Sequence, residues 1–495
     1  MTGRLSALQF LDLLLDAGSF QRWDTPPRQP EGDDEYAAVL ARARERTGLD
    51  EAVVTGAGLL RGRRVAVMAC EFGFLGGSIG VAAAERLVTA VERATAERLP
   101  LVAAPVSGGT RMQEGTVAFL QMVKISAALA RHKAAGLPYL VYLRHPTTGG
   151  VFASWGSLGH VTAAEPGALI GFLGPRVYQA LYGQPFPEGV QLAENLYRHG
   201  IIDAVLPPQK VGDFVDRVLR VMCAIPPVTI PAPRFEEPLE DVPAWESITR
   251  SRSPRRPGVR SLLRYAATDL VVLNGTGEGE RDPGLLLALA RFEGVSCVVL
   301  GQDRQGQTPT RPLGPGALRE ARRGMRLAAE LRLPLVTVID TPGAALSQQA
   351  EERGLAGEIA RCLAELVTLE APTLCLLLGQ GTGGGALALV PADRVIAAAH
   401  AWLSPLPPEG ASAIIHRDTA HAAHMAAAQG VRARDLHTHG IVDRIVPEYP
   451  DAADEPESFS RRLGLVLAQE LADLVRQDPQ QRLAARHDRY RRLGL

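Results

Sequence analysis

Four glycine-rich turns are the part of this sequence best suited to chemistry. They are Ser107-Gly108-Gly109, Thr148-Gly149-Gly150, Thr341-Pro342-Gly343 and Thr382-Gly383-Gly384-Gly385. Where such a turn joins a strand to a helix, the first backbone N–H groups of the helix have no partner within it. These groups can stabilise a developing oxyanion or bind a phosphate. The alternative is tight packing of the strand on the helix, which glycine also permits.

Other catalytic patterns are missing from the sequence. No Gly-Lys-Ser/Thr follows a turn as in a P-loop, and no turn spells G-x-G-x-x-G in a first strand–helix–strand unit. There is no G-x-S-x-G, no H-E-x-x-H and no acidic metal cluster. We therefore expect no metal. The chemistry should depend on backbone amides and on a reactive group that the substrate or cofactor brings.

The elements that must position these turns alternate between short apolar runs and amphipathic stretches. This alternation predicts an α/β fold with strand–helix–strand units and a mainly parallel sheet. The predicted strands are residues 65–70, 101–104, 139–143, 297–300, 335–339 and 373–378. The predicted helices are residues 81–97, 117–135, 318–331 and 358–369, with a short amphipathic helix within residues 1–20.

An internal repeat relates the two halves of the chain. The segment RLPLV at 98–102 recurs at 332–336, and TGG at 148–150 recurs at 382–384, both 234 residues later. The segment HGI at 199–201 returns at 439–441, at an offset of 240 residues. Matches in one order at nearly constant spacing indicate duplicated domains, since solenoid repeats are only about 20–50 residues long. We predict an N-terminal domain at 1–225 and a C-terminal domain at 261–495.

Between these domains, residues 226–260 are rich in proline and arginine. Proline is incompatible with a continuous helix or a central strand, so we predict a linker here. Its basic cluster, Ser251 to Pro257, fits a solvated linker or a surface against a neighbouring subunit better than a nucleic-acid site.

The composition excludes several classes of protein. The 495 residues are 46% hydrophobic and 22% charged with a net charge of −1, which argues against a nucleic-acid binder or a chain held on membranes by charge. Five scattered cysteines form no C-x-x-C pair, so neither a disulfide framework nor a four-cysteine zinc site is expected. There is no apolar run of membrane-spanning length. We expect a cytoplasmic protein that binds neither membrane nor nucleic acid.

Longer motifs around these turns resemble a known family. Residues 72–80, 107–114, 146–154 and 164–176 resemble the β subunit of bacterial acetyl-CoA carboxylase carboxyltransferase. Residues 339–344, 350–354, 383–388 and 408–411 resemble the α subunit. The chain is similar to a fused β–α chain from about residue 9 to 450. The resemblance implies two tandem crotonase-like (ClpP/crotonase) β-β-α superhelical domains.

The resemblance also implies a reaction. A carboxyl group would pass from carboxybiotin to an acyl-CoA, with acetyl-CoA as the first expectation and malonyl-CoA as its product. The proton on the acyl α-carbon would be taken by the freed biotin nitrogen. Two oxygens then carry charge, that of the thioester enolate and that of the biotin ureido group. A duplicated oxyanion hole would serve one oxygen each.

Matched residue by residue, the family motifs assign the candidate site. Gly149 and Gly150 match the hole for the thioester enolate, in what we call the β-side turn (148–150). Gly384, Gly385 and Ala386 match the biotin-facing turn, which we call the α-side turn (382–386). The resemblance further assigns substrate-binding roles, beside the CoA site for Gly108, Gly109 and Arg111, and at the acyl pocket for Leu387 and Ala388.

The sequence departs from the family pattern in three places. It has no N-terminal four-cysteine zinc ribbon. Just before the α-side turn, Gln380 stands where the family usually has glutamate. Ala345-Leu346-Ser347 replaces the usual aromatic-proline continuation after Asp340-Thr341-Pro342-Gly343-Ala344. The last two departures lie on the biotin-facing side.

The resemblance also implies partners. None of Lys124, Lys133 and Lys210 lies in a Met-Lys-Met biotinylation motif, so biotin would come on a separate carrier protein that a biotin carboxylase subunit charges. We expect a homo-oligomer, a dimer or a trimer of dimers. Two alternatives stay open: a biotin-independent malonyl- or methylmalonyl-thioester decarboxylase on the same fold, and a non-catalytic assembly subunit.

Overall fold

A computed structural model describes residues 4–27, 34–224, 230, 233, 235 and 240–495. The chain divides into two compact units. Unit 1 comprises Met1–Leu219 with Gly277–Gly279, and unit 2 comprises Arg220–Thr276 with Glu280–Leu495. Each unit is a mixed α/β fold built around one large sheet.

The sheet of unit 1 has seven strands in the order β1-β2-β3-β4-β5-β7-β9. The strands of this unit are β1 (Gln21–Arg22), β2 (Val53–Leu60), β3 (Arg63–Cys70), β4 (Leu101–Ala104), β5 (Tyr139–Leu143), β6 (Thr147–Thr148), β7 (Val161–Ala164), β8 (Ile170–Gly171) and β9 (Ala204–Val205). Strands β1, β2 and β3 pair antiparallel, and β3 to β9 pair parallel. Strands β6 and β8 form a separate parallel pair.

Helices cover this sheet with their apolar faces. They are α1 (Ala7–Leu14), α2 (Asp34–Thr47), α3 (Val81–Ala96), α4 (Gly115–Ala134), α5 (Pro175–Tyr182), α6 (Ala193–Arg198) and α7 (Val211–Met222), the last of which carries the boundary between the units. In α3, apolar residues recur at helical spacing, and Leu87 and Val91 on this face are fully buried. The core of unit 1 lies between this face and the sheet.

Unit 2 repeats the arrangement, with the order β10-β11-β12-β13-β14-β15-β17 and β16 paired to β14. Its strands are β10 (Ala267–Leu273), β11 (Leu285–Phe292), β12 (Val295–Gln302), β13 (Leu335–Thr341), β14 (Thr373–Thr382), β15 (Arg394–Ala398), β16 (Trp402–Ser404) and β17 (Arg444–Val446). Its helices are α8 (Ala244–Ser251), α9 (Val259–Ala266), α10 (Pro315–Leu331), α11 (Gln348–Glu352), α12 (Leu355–Thr368), α13 (Gly383–Leu387), α14 (Pro408–His416), α15 (Ala422–Ala428), α16 (Ala433–Thr438), α17 (Pro456–Val475) and α18 (Pro479–Arg491).

The predicted elements are present, and the structure adds a hairpin in each unit. Strands β4 and β5 coincide with the predicted ranges, and the other predicted strands lie within β3, β12, β13 and β14. The antiparallel strands β2 and β11, which precede the parallel strands, are not predicted. The two main sheets match strand for strand along this path, which agrees with the internal repeat.

The predicted linker is partly a folded element of unit 2. Helix α8 lies within it, because Pro243 occupies the position before the helix and Pro254 follows its end, so no proline interrupts it. Arg256, expected in a solvated cluster, is buried because Glu448 neutralises it through two hydrogen bonds of 2.6 and 2.7 Å. Prolines 226, 227 and 231 lie outside the described residues.

Candidate active site

The two glycine turns of unit 1 lie against each other. The N–H of Thr148 donates to the carbonyl of Ser107 over 2.9 Å, which joins the two loops beyond the ends of β4 and β5. A β-carbon at Gly109 would lie 3.5 Å from the Cα of Gly149. The structure therefore brings Gly109 and the β-side turn into one site, at the carboxyl ends of parallel strands where open α/β sheets bind ligands.

The β-side turn offers one of its two predicted donors. The N–H of Gly149 is already bonded, to the carbonyls of Phe172 at 3.0 Å and Gly171 at 3.2 Å. Gly149 instead supplies the bend, since its φ of +63° is strained for other residues. The N–H of Gly150 has no acceptor within the described part of the chain, and Gly150 is only half-buried. Gly150 is therefore the candidate donor.

Ser154 supports this turn and is not among the predicted site residues. Its hydroxyl donates to the carbonyl oxygen of Gly150 over 2.5 Å. Because a trans peptide is planar, holding this carbonyl fixes the direction of the next N–H, that of Val151. The signal in the sequence was the serine four residues after the second glycine.

Arg111, which is predicted to bind substrate, has its side chain buried inside unit 1. Its side chain is 1% exposed and makes a bidentate pair with Glu51, with a further hydrogen bond to the carbonyl of Ser78 at 2.8 Å. Burial lowers the pKa of the guanidinium, but the pair with Glu51 outweighs burial and raises the pKa overall. The arginine therefore holds the loop beside Gly109 in place from within.

Gly108 and Gly109 also use their N–H groups inside the fold. The N–H of Gly108 donates to the carbonyl of Gly76 over 2.9 Å, and that of Gly109 donates to the hydroxyl of Ser107 over 3.0 Å. These glycines contribute space to the site. A β-carbon at Gly108 would meet only the Gly76 carbonyl oxygen, at 3.7 Å.

The α-side turn begins where β14 ends and α13 starts. Thr382 precedes the helix but its side chain makes no capping hydrogen bond. The N–H groups of Gly384 and Gly385 lie in the first turn of the helix, and neither has an acceptor among the described residues. A β-carbon at Gly385 would lie 3.2 Å from the backbone nitrogen of Ala344. The turn therefore packs directly on the loop that follows β13.

Leu387 and Ala388 differ in accessibility. Leu387 is 49% exposed, whereas Ala388 is fully buried, and its N–H donates to the carbonyl of Gly384 over 3.0 Å. Ala388 therefore packs in the interior, contrary to its predicted contact with substrate. It faces inward because the chain continues the helical turn past the last glycine. Leu387 is the residue of this pair that a ligand can reach.

The neutral Gln380 lies beside a charged pair. Arg252 donates from its two terminal nitrogens to the carboxylate of Glu409, at 2.5 and 3.1 Å. Its Nε lies 3.3 Å from the amide oxygen of Gln380 and donates to it. The hydrogen bond from Arg252 lowers the pKa of Glu409. Glu409 therefore supplies, from α14, a carboxylate next to a turn that lacks its usual glutamate.

Asp340 lies behind the α-side turn. Its side chain is buried, and burial raises its pKa although Arg304 approaches to 3.6 Å. One carboxylate oxygen accepts the N–H of Gln380 at 3.2 Å. Asp340 thus connects β13 to the end of β14.

The described ranges contain no group of three or more His, Cys, Asp or Glu side chains arranged to hold a metal ion. Within the same ranges, no helix combines the length and the apolar character that crossing a membrane requires.

A family model described as the carboxyl transferase domain matches residues 1–484, so the chain belongs to the carboxyl transferase family. The chain is a carboxyltransferase.

Relatives and a solved structure agree with this membership. The chain is 64% identical over 492 residues to the probable biotin-dependent acyl-coenzyme A carboxylase beta3 subunit of Mycobacterium tuberculosis, with 99% of each chain covered. It is 38% identical to the acetyl-coenzyme A carboxylase carboxyl transferase subunits beta/alpha of Salinispora arenicola, covering 99% of this chain and 91% of the relative. In fold it resembles the hexameric transcarboxylase 12S bound to methylmalonyl-coenzyme A, with a TM-score of 0.75, 22% identity, and 96% and 91% of the two chains covered.

Proposed function

We propose that this chain is the carboxyltransferase component of a biotin-dependent acyl-CoA carboxylase, with acetyl-CoA as its substrate and malonyl-CoA as its product. The observation that carries the proposal is the pair of glycine turns with unbonded N–H groups, one in each unit of a chain 64% identical to a carboxylase beta subunit. Biotin, attached to a separate carrier protein, would supply the carboxyl group.

The residues fit these two ligands. A thioester oxygen and a ureido oxygen are both hydrogen-bond acceptors, and each gains negative charge during the reaction. The N–H of Gly150 would hold the thioester oxygen, and the N–H groups of Gly384 and Gly385 would hold the ureido oxygen. Loss of one such donor costs about 2.7–4 kcal/mol of transition-state stabilisation.

We further propose that the chain works as a homo-oligomer, a dimer or a trimer of dimers. Helix α4 packs on the β-side turn through Met122, whose Cγ would be 3.4 Å from a β-carbon at Gly150. The same helix exposes Val117, Phe119, Leu120 and Val123, each between 55% and 67% exposed. In unit 2, Ile414 and Ile415 on α14 are similarly exposed. Apolar faces of this kind mark association sites, and a second copy would cover them.

A reconstitution assay tests the reaction. Purified chain, a biotinylated carrier protein, biotin carboxylase, ATP and labelled bicarbonate are mixed with acetyl-, propionyl- or butyryl-CoA. We expect labelled acyl product, fastest with acetyl-CoA, and none when the carrier is omitted. A faster rate with propionyl- or butyryl-CoA would reassign the substrate only.

The two alternatives give other results. Loss of carboxylate from malonyl-CoA without biotin, and no carboxylation, would identify a decarboxylase. Neither reaction with any carrier and carboxylase pair would identify an assembly subunit. The reverse assay, with malonyl-CoA and free biotin as acceptor, checks the carboxyl transfer without the carrier.

A further inference from the structure

Strand β12 ends in a polar side chain, that of Gln302, and its other side chains are apolar except for Ser296. Gln302 is fully buried, and its two amide atoms reach different parts of unit 2. Its Nε2 donates to the carbonyl oxygen of Gly385 over 2.6 Å, and its Oε1 accepts the N–H of Asp340 over 3.1 Å. Gln302 thus connects the end of β13 to the α-side turn.

The orientation of this amide is fixed by its partners. A backbone carbonyl only accepts and a backbone N–H only donates, so exchanging the oxygen and nitrogen of Gln302 would break both bonds. The carbonyl of Gly385 also has no helical partner. The N–H of Leu389 goes to Ala386 and that of Ala388 goes to Gly384. The donor that satisfies the Gly385 carbonyl is therefore Gln302.

Holding this carbonyl has a consequence for the neighbouring amide. The peptide between Gly385 and Ala386 is planar and trans, so its N–H points opposite to its C=O. Fixing the carbonyl toward β12 therefore fixes the N–H of Ala386 toward the N-terminal side of the turn, where the N–H groups of Gly384 and Gly385 also lie. We propose that Gln302 is a positioning residue, which aims the N–H of Ala386 in the α-side turn. The proposal rests on that turn being a binding site, as in the proposed function.

The strand of unit 1 that corresponds to β12 has no amide side chain at the position of Gln302. The pairings of Ala69 with Ala104 and of Gly301 with Val338 make Cys70 the counterpart of Gln302. In unit 1 Ser154 holds the carbonyl of Gly150, whose counterpart in the repeat is Gly384, the residue before Gly385. Each turn therefore has one side chain that donates to one of its carbonyls.

Three variants test the role of Gln302. Gln302→Met keeps the length of the side chain but removes both hydrogen bonds. Gln302→Glu replaces the donor by a carboxyl group, which donates to Gly385 only when protonated. Thr373→Val is the matched control, because it removes hydrogen bonds of similar burial, to Asp393, at the opposite end of β14.

The first measurement, hydrogen exchange, does not require the enzyme to be active. In Gln302→Met, hydrogen exchange of the amides of Ala388 and Leu389, which donate to the carbonyls of Gly384 and Ala386, should be faster than in wild type when followed by mass spectrometry. In Thr373→Val it should be unchanged. Equal exchange in wild type and Gln302→Met would overturn the proposal even if the wild-type chain had no carboxyltransferase activity.

The second readout uses the reconstituted carboxylation assay. Gln302→Met should lower kcat at least tenfold, up to the roughly 10²–10³ that a lost oxyanion donor costs, with the KM for acyl-CoA unchanged. In Gln302→Glu, kcat should rise relative to wild type as pH falls, because burial raises the pKa of the new carboxyl group and protonation restores the donor. A wild-type kcat in Gln302→Met, or parallel pH profiles of Gln302→Glu and wild type, would contradict the role of Gln302. An inactive wild-type chain would instead count against the proposed function.

Discussion

Arg256 and Glu448 form a fully buried bidentate ion pair, although they lie 192 residues apart in the chain. The guanidinium also donates to the carbonyl of Leu378 over 3.0 Å, and the carboxylate also accepts the N–H of His400 over 3.0 Å. The pair therefore joins the loop before α9 to β14 and to the ends of β15 and β17. It lies in the interior of unit 2, behind the strand that carries the α-side turn.

Removing one partner of this pair should destabilise unit 2. In Arg256→Met the carboxylate of Glu448 stays buried without its counter-ion, which costs about 3–5 kcal/mol. The control is Arg255→Met, since Arg255 is exposed and its pair with Asp454 at 3.5 Å should contribute less than about 1 kcal/mol. Urea unfolding, followed by tryptophan fluorescence, measures both changes. Equal unfolding midpoints for the two variants would show that the buried pair does not stabilise the fold.

The same pair should make stability depend on pH in acid. Burial alone raises the pKa of Glu448, but Arg256 outweighs it and lowers the pKa from 4.5 to about 2. The unfolded chain then takes up this proton first, so the contribution is complete above about pH 4.5 and is lost as pH falls toward about 2. Comparing the unfolding free energy of wild type and Glu448→Gln across this range isolates the effect. The difference should shrink on acidification, and a constant difference would contradict the lowered pKa.

Gly150→Pro should abolish turnover and leave the chain folded. Proline removes the N–H proposed to hold the thioester oxygen, and that N–H has no acceptor to lose among the residues that the structure describes. The control is Gly150→Ala, which keeps the N–H and places a β-carbon 3.2 Å from the Thr110 hydroxyl oxygen. We expect a loss in kcat of at least about 10²-fold for proline and a much smaller loss for alanine. Full activity in a proline variant with wild-type thermal stability would remove Gly150 from the site.

Two inactive variants should complement each other if the sites form between copies. Gly150→Pro and Gly385→Pro, carried on differently tagged chains and co-expressed, give mixed dimers that tandem affinity purification isolates. One of the two sites in each mixed dimer would then be wholly wild type and should restore carboxylation. Each variant alone is the control. An inactive, verified mixed dimer would mean that each site is built within one chain.

Selectivity for the acyl chain should respond to Leu387 and not to Ala388. Leu387 is 49% exposed beside the α-side turn, so Leu387→Ala should change the ratio of kcat/KM for propionyl- and acetyl-CoA by about tenfold, the lower limit for one methylene group. Ala388→Ile should instead overpack the interior and cost about 1–3 kcal/mol of stability. If the ratio stays at the wild-type value in Leu387→Ala, the acyl pocket lies elsewhere, for example in unit 1.

The sequence pattern predicts the parallel strands but not the antiparallel strands β2 and β11 that precede them. Strands β4 and β5 are short, apolar and bounded by turns, so their ends are visible. Strand β2 contains Gly56 and Gly58, which weaken a strand pattern. Glycine is required at position 56 by a contact with another strand, since a β-carbon there would lie 2.3 Å from the carbonyl oxygen of Gln21. A close approach of this kind leaves no periodic signal.

In the candidate site too, local features could be predicted from the sequence, whereas contacts between distant residues could not. The glycine turns could be found because their residue type and position after a strand are local features. The burial of the Arg111 side chain could not be predicted from the sequence, because it depends on the pair with Glu51, 60 residues earlier. Gln302 was equally hidden, because its partner Gly385 lies 83 residues away.

Ser154 lies in the same short segment as the turn that it supports, whereas Gln302 lies on a separate strand. This difference limits which segments can be exchanged between the two halves. The β-side turn carries its support in the same short segment, so a graft of residues 148–154 would bring Ser154 with it. A graft of residues 382–388 would leave Gln302 behind, and the recipient strand in unit 1 ends in Cys70, which has only a weak S–H donor. The β-side turn can therefore be moved to unit 2 together with its supporting side chain, whereas the α-side turn cannot be moved to unit 1 in this way. Chimeras between the halves, or between related chains, must transfer β12 together with the α-side turn.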